Sequence, residues 1–91
     1  MVDIRVIIPA INEGDSIGKV VSELPKHVTE IIVADNGSQD DTAENARKAG
    51  ATVVTETRKG YGYACLKGLE YISKQSKVPD IIVFIERDSS D

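Results

Sequence analysis

Glu86 and Asp88 stand two residues apart, directly after the apolar run Ile81-Ile82-Val83-Phe84-Ile85. On an extended segment such side chains share one side. Two carboxylates so placed suit an octahedral Mg²⁺ or Mn²⁺, which keeps waters, takes one or two protein oxygens and acts as a Lewis acid on a departing anion. Arg87 lies between them, and its charge opposes a cation at close range; it is free to pair with Asp40, Asp41 or Asp91, or to meet a phosphate itself. A second cluster, Arg58-Lys59-Gly60-Tyr61-Gly62, sets two cations before a Gly-x-Gly whose backbone N–H groups and following helix start can face an anion. It is not a dinucleotide fingerprint, because Cys65 stands where the third glycine belongs and the loop follows the third strand. Asp35 closes the run Ile31-Ile32-Val33-Ala34, with Gly37 supplying the positive φ of a tight turn. Pro9-Ala10-Ile11-Asn12-Glu13 follows the run Ile4–Ile8. Pro9 has no N–H for a ladder bond and turns the chain off the sheet, and Ala10 leaves the backbone open to a flat ligand. Taken alone, Asn12 and Glu13 read as residues that start a helix, and Asn36, Ser38 and Asp40 as an Asx-turn.

The elements that must position these groups follow from the apolar pattern. Ile4-Arg5-Val6-Ile7-Ile8 is β-branched and nearly continuous in apolarity, as for a strand covered on both faces, and Pro9 ends it. Ile17, Val20, Val21 and Leu24 form one helical stripe, with Asp15 or Ser16 as N-cap and Pro25 as the stop. Residues 31–34 make a second strand, and Asp41-Thr42-Ala43-Glu44 has the form of a capping box for a short helix ending at Gly50. Thr52-Val53-Val54-Thr55 is a third strand. Cys65, Leu66, Leu69 and Ile72 mark the inward face of a third helix, with Cys65 in the core, and Pro79 separates it from a fourth strand, Ile81–Ile85. The βαβαβαβ order with short polar connections predicts an α/β, Rossmann-like three-layer αβα fold on a four-stranded parallel sheet. All the chemical clusters then fall on the carboxyl rim, where open α/β sheets bind ligands.

Composition narrows the partners. Ninety-one residues make one domain with one modest core. Eleven basic against fifteen acidic side chains, a net charge of −4, argue against general affinity for nucleic acid or acidic membranes. A single Cys65 forms no internal disulfide, and no Cys/His cluster offers a zinc site. No apolar run approaches a transmembrane segment, and Asp3 and Arg5 interrupt any leader-like stretch, so a cytoplasmic protein is expected. His27 reads as a surface residue, and Tyr61 either lines the ligand side of the pocket or is a packed or rim tyrosine.

Together, Pro9-Ala10-Ile11-Asn12-Glu13, Asp35-Asn36-Gly37-Ser38-Gln39-Asp40, Lys59-Gly60-Tyr61-Gly62-Tyr63-Ala64 and Glu86-Arg87-Asp88 resemble the motif series of family 2 glycosyltransferases of the GT-A fold. The likeness is greatest to the branch with polyprenyl-phosphate sugar transferases and glucosyl-phosphoglycerate synthases, and it covers essentially the whole chain. The first three motifs match fully; the fourth, normally D-x-D, has Glu86 in place of its first Asp. The resemblance implies a UDP- or GDP-sugar donor bound by Pro9, Ala10, Asn12, Glu13, Asp35, Lys59, Gly62 and Glu86. It also implies Mg²⁺ or Mn²⁺ on Glu86 and Asp88. Asp35 would read the base, Lys59 would steady the diphosphate, and the first D-x-D position would touch ribose or metal. The family's acceptor site and general base come after D-x-D, so residues 1–91 are expected to be the donor-binding N-terminal half, cut after that motif and inactive alone, with no catalytic residue of its own. The fourth strand is then an exposed edge, which predicts self-association there or pairing with the missing half. The alternative is a non-catalytic assembly or regulatory module, or an engineered half-domain that keeps the fold and self-associates. A flavodoxin-like or receiver-like domain fits less well, because the first strand ends in Pro-Ala and not in acidic residues.

Overall fold

A computed structural model describes residues 2–85. Seven elements alternate: β1 (Ile4–Ala10), α1 (Gly14–Ser22), β2 (Glu30–Asp35), α2 (Thr42–Lys48), β3 (Thr52–Thr55), α3 (Tyr61–Ser73) and β4 (Ile81–Phe84). The sheet is wholly parallel in the order β3-β2-β1-β4. The chain therefore runs outward from β1 through β2 to β3, then crosses back to lay β4 on the other side of β1. The expected Rossmann-like arrangement is present.

Side-chain alternation along the strands divides the core in two. Val6, Ile8, Ala10 and Val33 meet Ile17 and Val21 of α1 and Ala46 of α2 on one face, while Ile7 and Ile32 meet Ile72 of α3 on the other. Ile7, Ile8, Ile17, Ile32 and Val33 are completely or almost completely buried, the continuous apolarity expected of a strand pair with helices on both sides.

Several local expectations are corrected. Pro9 does not end β1, which runs to Ala10 with Pro9 in register with Ala34. On α3 the buried positions are Ala64, Gly68 and Ile72, not Cys65 and Leu66; Cys65 is half-buried and Leu66 exposed. The helix presents its small residues because it lies so close to the sheet that a Cβ on Gly68 would sit 2.7 Å from Ile7 Cγ2. Helix α1 begins at Gly14 with Glu13 at the cap position, ahead of Asp15 and Ser16. Asp41 is the α2 cap residue but makes no side-chain cap bond, so the capping box does not form. The end of α2 does follow its sequence signal: Gly50 has φ +105, its N–H donates to Arg47 O, and Ala51 N–H donates to Ala46 O, the paired bonds of a Schellman ending.

At the amino edge of the sheet the apolar pattern hides a polar anchor. Arg5, 5% exposed, donates from Nε to Asp3 Oδ1 (2.8 Å) and from Nη1 to Glu30 Oε1 (3.1 Å). Glu30 Oε2 accepts from Tyr71 of α3 (2.7 Å) and Thr52 of β3 (3.0 Å). The Arg5 hydrogen bonds hold the Asp3 carboxyl below its ordinary range. Every buried group here is paired, so the network fixes α3 and three strands at the edge opposite the carboxyl rim.

Candidate functional site

Strand order reverses at β1, with β2 on one side and β4 on the other. Even-numbered residues of β1 bond toward β2, as in Asn36 N–H to Ala10 O (2.9 Å), and odd-numbered ones toward β4, as in Ile85 N–H to Ile7 O (3.0 Å). Pro9 is thus on the β4 side, where it has no N–H to offer. Pairing with β2 continues to Ala10 and Asp35, and among the described residues pairing with β4 runs from Ile4 and Ile81 to Ile7 and Phe84. At the carboxyl end of β1 lies a cleft of about 210 Å³ lined by Pro9, Ala10, Ile11, Glu13, Asn36, Tyr61 and Ala64.

Two loops behind this cleft are locked by one carboxylate. Asp40 Oδ2 accepts from the Gly14 N–H that opens α1 (3.0 Å), and Oδ1 accepts from the Thr42 N–H that opens α2 (3.0 Å) and from the Thr42 hydroxyl. The Thr42 Oγ1 accepts in turn from Glu13 N–H (2.8 Å). Asp40 therefore caps two helices at once, and these donors, the Thr42 hydroxyl foremost, lower its pKa. Gly14 has room for no side chain, since a Cβ would lie 2.9 Å from Asp40 Oδ2. Asn12, in the left-handed region at φ +51, accepts Gln39 N–H on Oδ1 (2.8 Å), while its own N–H donates to Ser38 Oγ (2.8 Å).

Asp35 ends β2 almost buried at 6% exposure, and its Oδ1 accepts from the Ser38 N–H (3.2 Å) and hydroxyl. Among the described residues, Oδ2 accepts no hydrogen bond. The adjacent Asn36 is tied to the next loop: Nδ2 donates to Glu56 O (3.0 Å) and Arg58 O (2.8 Å), and Oδ1 accepts from Gly60 N–H (2.9 Å). In the β3–α3 loop so held, Glu56 binds Arg58 through Nε (3.0 Å), Nη2 (2.9 Å) and the backbone N–H (2.8 Å), and these bonds pull the Glu56 pKa from 4.5 to about 2. The Arg58 guanidinium also sits 4.5 Å over the Tyr63 ring. Arg58 is thus committed to the protein, whereas Lys59 lines a neighbouring open hollow of about 320 Å³ with Gly60, Gly62, Tyr63 and Leu66.

Of the residues expected at the site, Pro9, Ala10 and Glu13 share the cleft. Asp35 precedes Asn36 at its wall, and Tyr61 lines it. Asn12 faces the 38–39 turn, and Lys59 and Gly62 lie across the first turn of α3 in the hollow. Glu86 and Asp88 lie outside the described residues. Among the described residues no group of three or more His, Cys, Asp or Glu side chains could hold a metal ion, and no helix is long and apolar enough to cross a membrane. Sequence reading missed the parts played by Asn36, Asp40, Thr42 and Glu56. The signal for Asp40 was its spacing ahead of a helix start, one residue before the apparent capping box.

The sequence profile described as "Glycosyl transferase family 2" matches residues 5–90. An uncharacterized glycosyltransferase of Mycobacterium tuberculosis (strain ATCC 25618 / H37Rv) is 41% identical over 66 residues, covering 72% of this chain and 30% of that protein. Glucosyl-3-phosphoglycerate synthase of Mycolicibacterium paratuberculosis (strain ATCC BAA-968 / K-10) is 36% identical, over 93% of this chain and 28% of its own length. The crystal structure of the Mycobacterium tuberculosis glucosyl-3-phosphoglycerate synthase, in complex with Mn²⁺, UDP-glucose and phosphoglyceric acid, superposes with a TM-score of 0.77 at 35% identity, covering 91% of this chain and 32% of that one. The chain spans about a third or less of these relatives. The family profile matches nearly the whole chain, and the chain belongs to glycosyl transferase family 2.

Proposed function

We propose that residues 1–91 form the donor-binding part of a family 2 glycosyltransferase, taking a UDP-sugar, with a GDP-sugar as the other candidate. The observation that carries this is the cleft at the carboxyl end of β1, lined by Pro9, Ala10 and Glu13 and walled by Asn36 and Tyr61. The likeness to a synthase solved with Mn²⁺ and UDP-glucose supports the choice of UDP. Ala10 presents a backbone with no bulky side chain to a flat base. Asp35 keeps Oδ2 for a base N–H while Ser38 holds Oδ1, so the carboxylate is oriented before the ligand arrives. Glu13 faces the ribose, and Lys59 with the Gly60–Gly62 backbone steadies the diphosphate. Glu86 and Asp88 supply two carboxylates suited to Mg²⁺ or Mn²⁺, which when bound stabilises the leaving diphosphate. Donor binding is the part of transfer these residues supply.

Calorimetric titration with UDP and with GDP, each with and without Mn²⁺, tests the reading. Binding of UDP that strengthens with Mn²⁺ is expected. Heat from neither nucleotide under any condition overturns it.

The reading extends to self-association and to a cytoplasmic setting in which the lone Cys65 stays reduced. The Ile81, Val83 and Ile85 N–H groups serve the β1 side by alternation, so Ile82 and Phe84 turn their backbone groups to the edge that no strand covers among the described residues. Ile81, Val83 and Phe84 are 45%, 39% and 42% exposed. A second copy laid edge to edge would pair both strands. Sedimentation velocity should show mass rising with concentration, and a monomer at all concentrations sinks this part.

A further inference from the structure

We infer that Asn36 is a positioning residue that sets the diphosphate-binding Lys59 from the base-binding end of β2. This rests on the donor-binding reading above. Asn36 is 8% exposed, and all three of its side-chain hydrogen bonds go to one segment, residues 56–60. Its backbone N–H at the same time closes the β1–β2 ladder on Ala10 O. One residue therefore joins the Pro9-Ala10 wall, the Asp35 carboxylate next to it in sequence, and the loop that carries the cation.

The three bonds fall on Glu56 O, Arg58 O and Gly60 N–H, so they bracket Lys59 on both sides while touching none of its own groups. Gly60 holds φ +130, a conformation that a side chain would strain, and its N–H reaches Asn36 Oδ1 in that conformation. Arg58 is drawn to Glu56 and stacked on Tyr63, which leaves the segment one outward cation. The Lys59 stem is thus fixed at its backbone and mobile only along its side chain. An aspartate at 36 has the same size but turns an oxygen toward the Glu56 and Arg58 carbonyls, so it releases the loop and preserves the β2 end.

The test compares wild type, Asn36→Asp, Lys59→Ala and the double variant, titrated with uridine and with UDP in the presence of Mn²⁺. Asn36→Asp should weaken UDP by about tenfold, the size of one lost contact to a charged group, and leave uridine within about twofold. The double variant should lose no more UDP affinity than Lys59→Ala alone, because Asn36 acts through Lys59. Equal losses for uridine and UDP, or additive losses in the double variant, overturn the inference. Trypsin cleavage after Arg58 and Lys59 reads the latch without any nucleotide: wild type should be resistant there and Asn36→Asp cut quickly. Unchanged cleavage in the variant, or early cleavage there in wild type should the variant not fold, also overturns it. Wild type that ignores UDP while the trypsin contrast holds defeats the donor-binding reading and the positioning role, and leaves Asn36 as the anchor of the loop.

Discussion

A capping carboxylate is usually sought within three residues of the helix it serves, and Asp40 shows what that search leaves out. Its bond to Gly14 spans 26 residues of sequence, so only the folded chain reveals that the two loop motifs are one hydrogen-bonded body. Asn36 was misread for the same reason, its partners being 20 to 24 residues away. Asp35, Pro9 and Ala10 were legible because each is defined by where a strand ends, which local apolarity discloses. Thr42 tests how much the long-range lock is worth. It is fully buried, donates to Asp40 and accepts from Glu13 N–H, so Thr42→Val fills the same space, strands the Glu13 N–H and removes one of the bonds to Asp40. The expected loss is about 1–3 kcal/mol in urea unfolding, with Thr42→Ser recovering most of it. A Thr42→Val protein as stable as wild type refutes the lock.

Among the elements, the strands and their alternation with helices were read from sequence with little error, because β-branched runs separated by helical stripes mark each one locally. Helix α3 was placed correctly but rotated wrongly. Leu66 and Cys65 are the larger apolar residues, yet burial went to Ala64 and Gly68, since a helix pressed onto Ile7 needs small side chains at the contact. Two glycines separate propensity from packing. Gly68→Ala gains helix propensity but drives a Cβ to 2.7 Å from Ile7 Cγ2, so a net loss of about 1–3 kcal/mol is expected. Gly18→Ala on α1 meets only Asn45 O at 3.9 Å and should stabilise by up to about 1 kcal/mol. Thermal melts of the two variants moving in the same direction would show that α3 does not pack as closely as described.

At the scale of the whole molecule, the charges invisible to an apolar-pattern reading decide how the fold responds to acid. Among the described residues, three carboxylates at separate places have folded pKa values below their ordinary ones: Asp3 through its bonds from Arg5, Asp40 through Thr42, and Glu56, at about 2, through Arg58. Below about pH 4.5 the unfolded chain takes up protons that the folded chain still refuses, so stability falls as pH falls. The contribution is complete above that value and is lost as pH passes down through the folded pKa values, toward about 2 for Glu56. Urea midpoints should accordingly be level between about pH 7 and 5 and drop steeply by about pH 3. Glu56→Gln removes one of the three titrations, and its signature is a shallower fall between those limits, whatever its stability at neutral pH. The three sites are held by separate partners, at the amino edge, at the α1–α2 junction and in the β3–α3 loop, so their contributions should add, and Asp40→Asn with Glu56→Gln should flatten the profile further than either change alone. A profile as steep in the double variant as in wild type would place the acid sensitivity elsewhere in the protein.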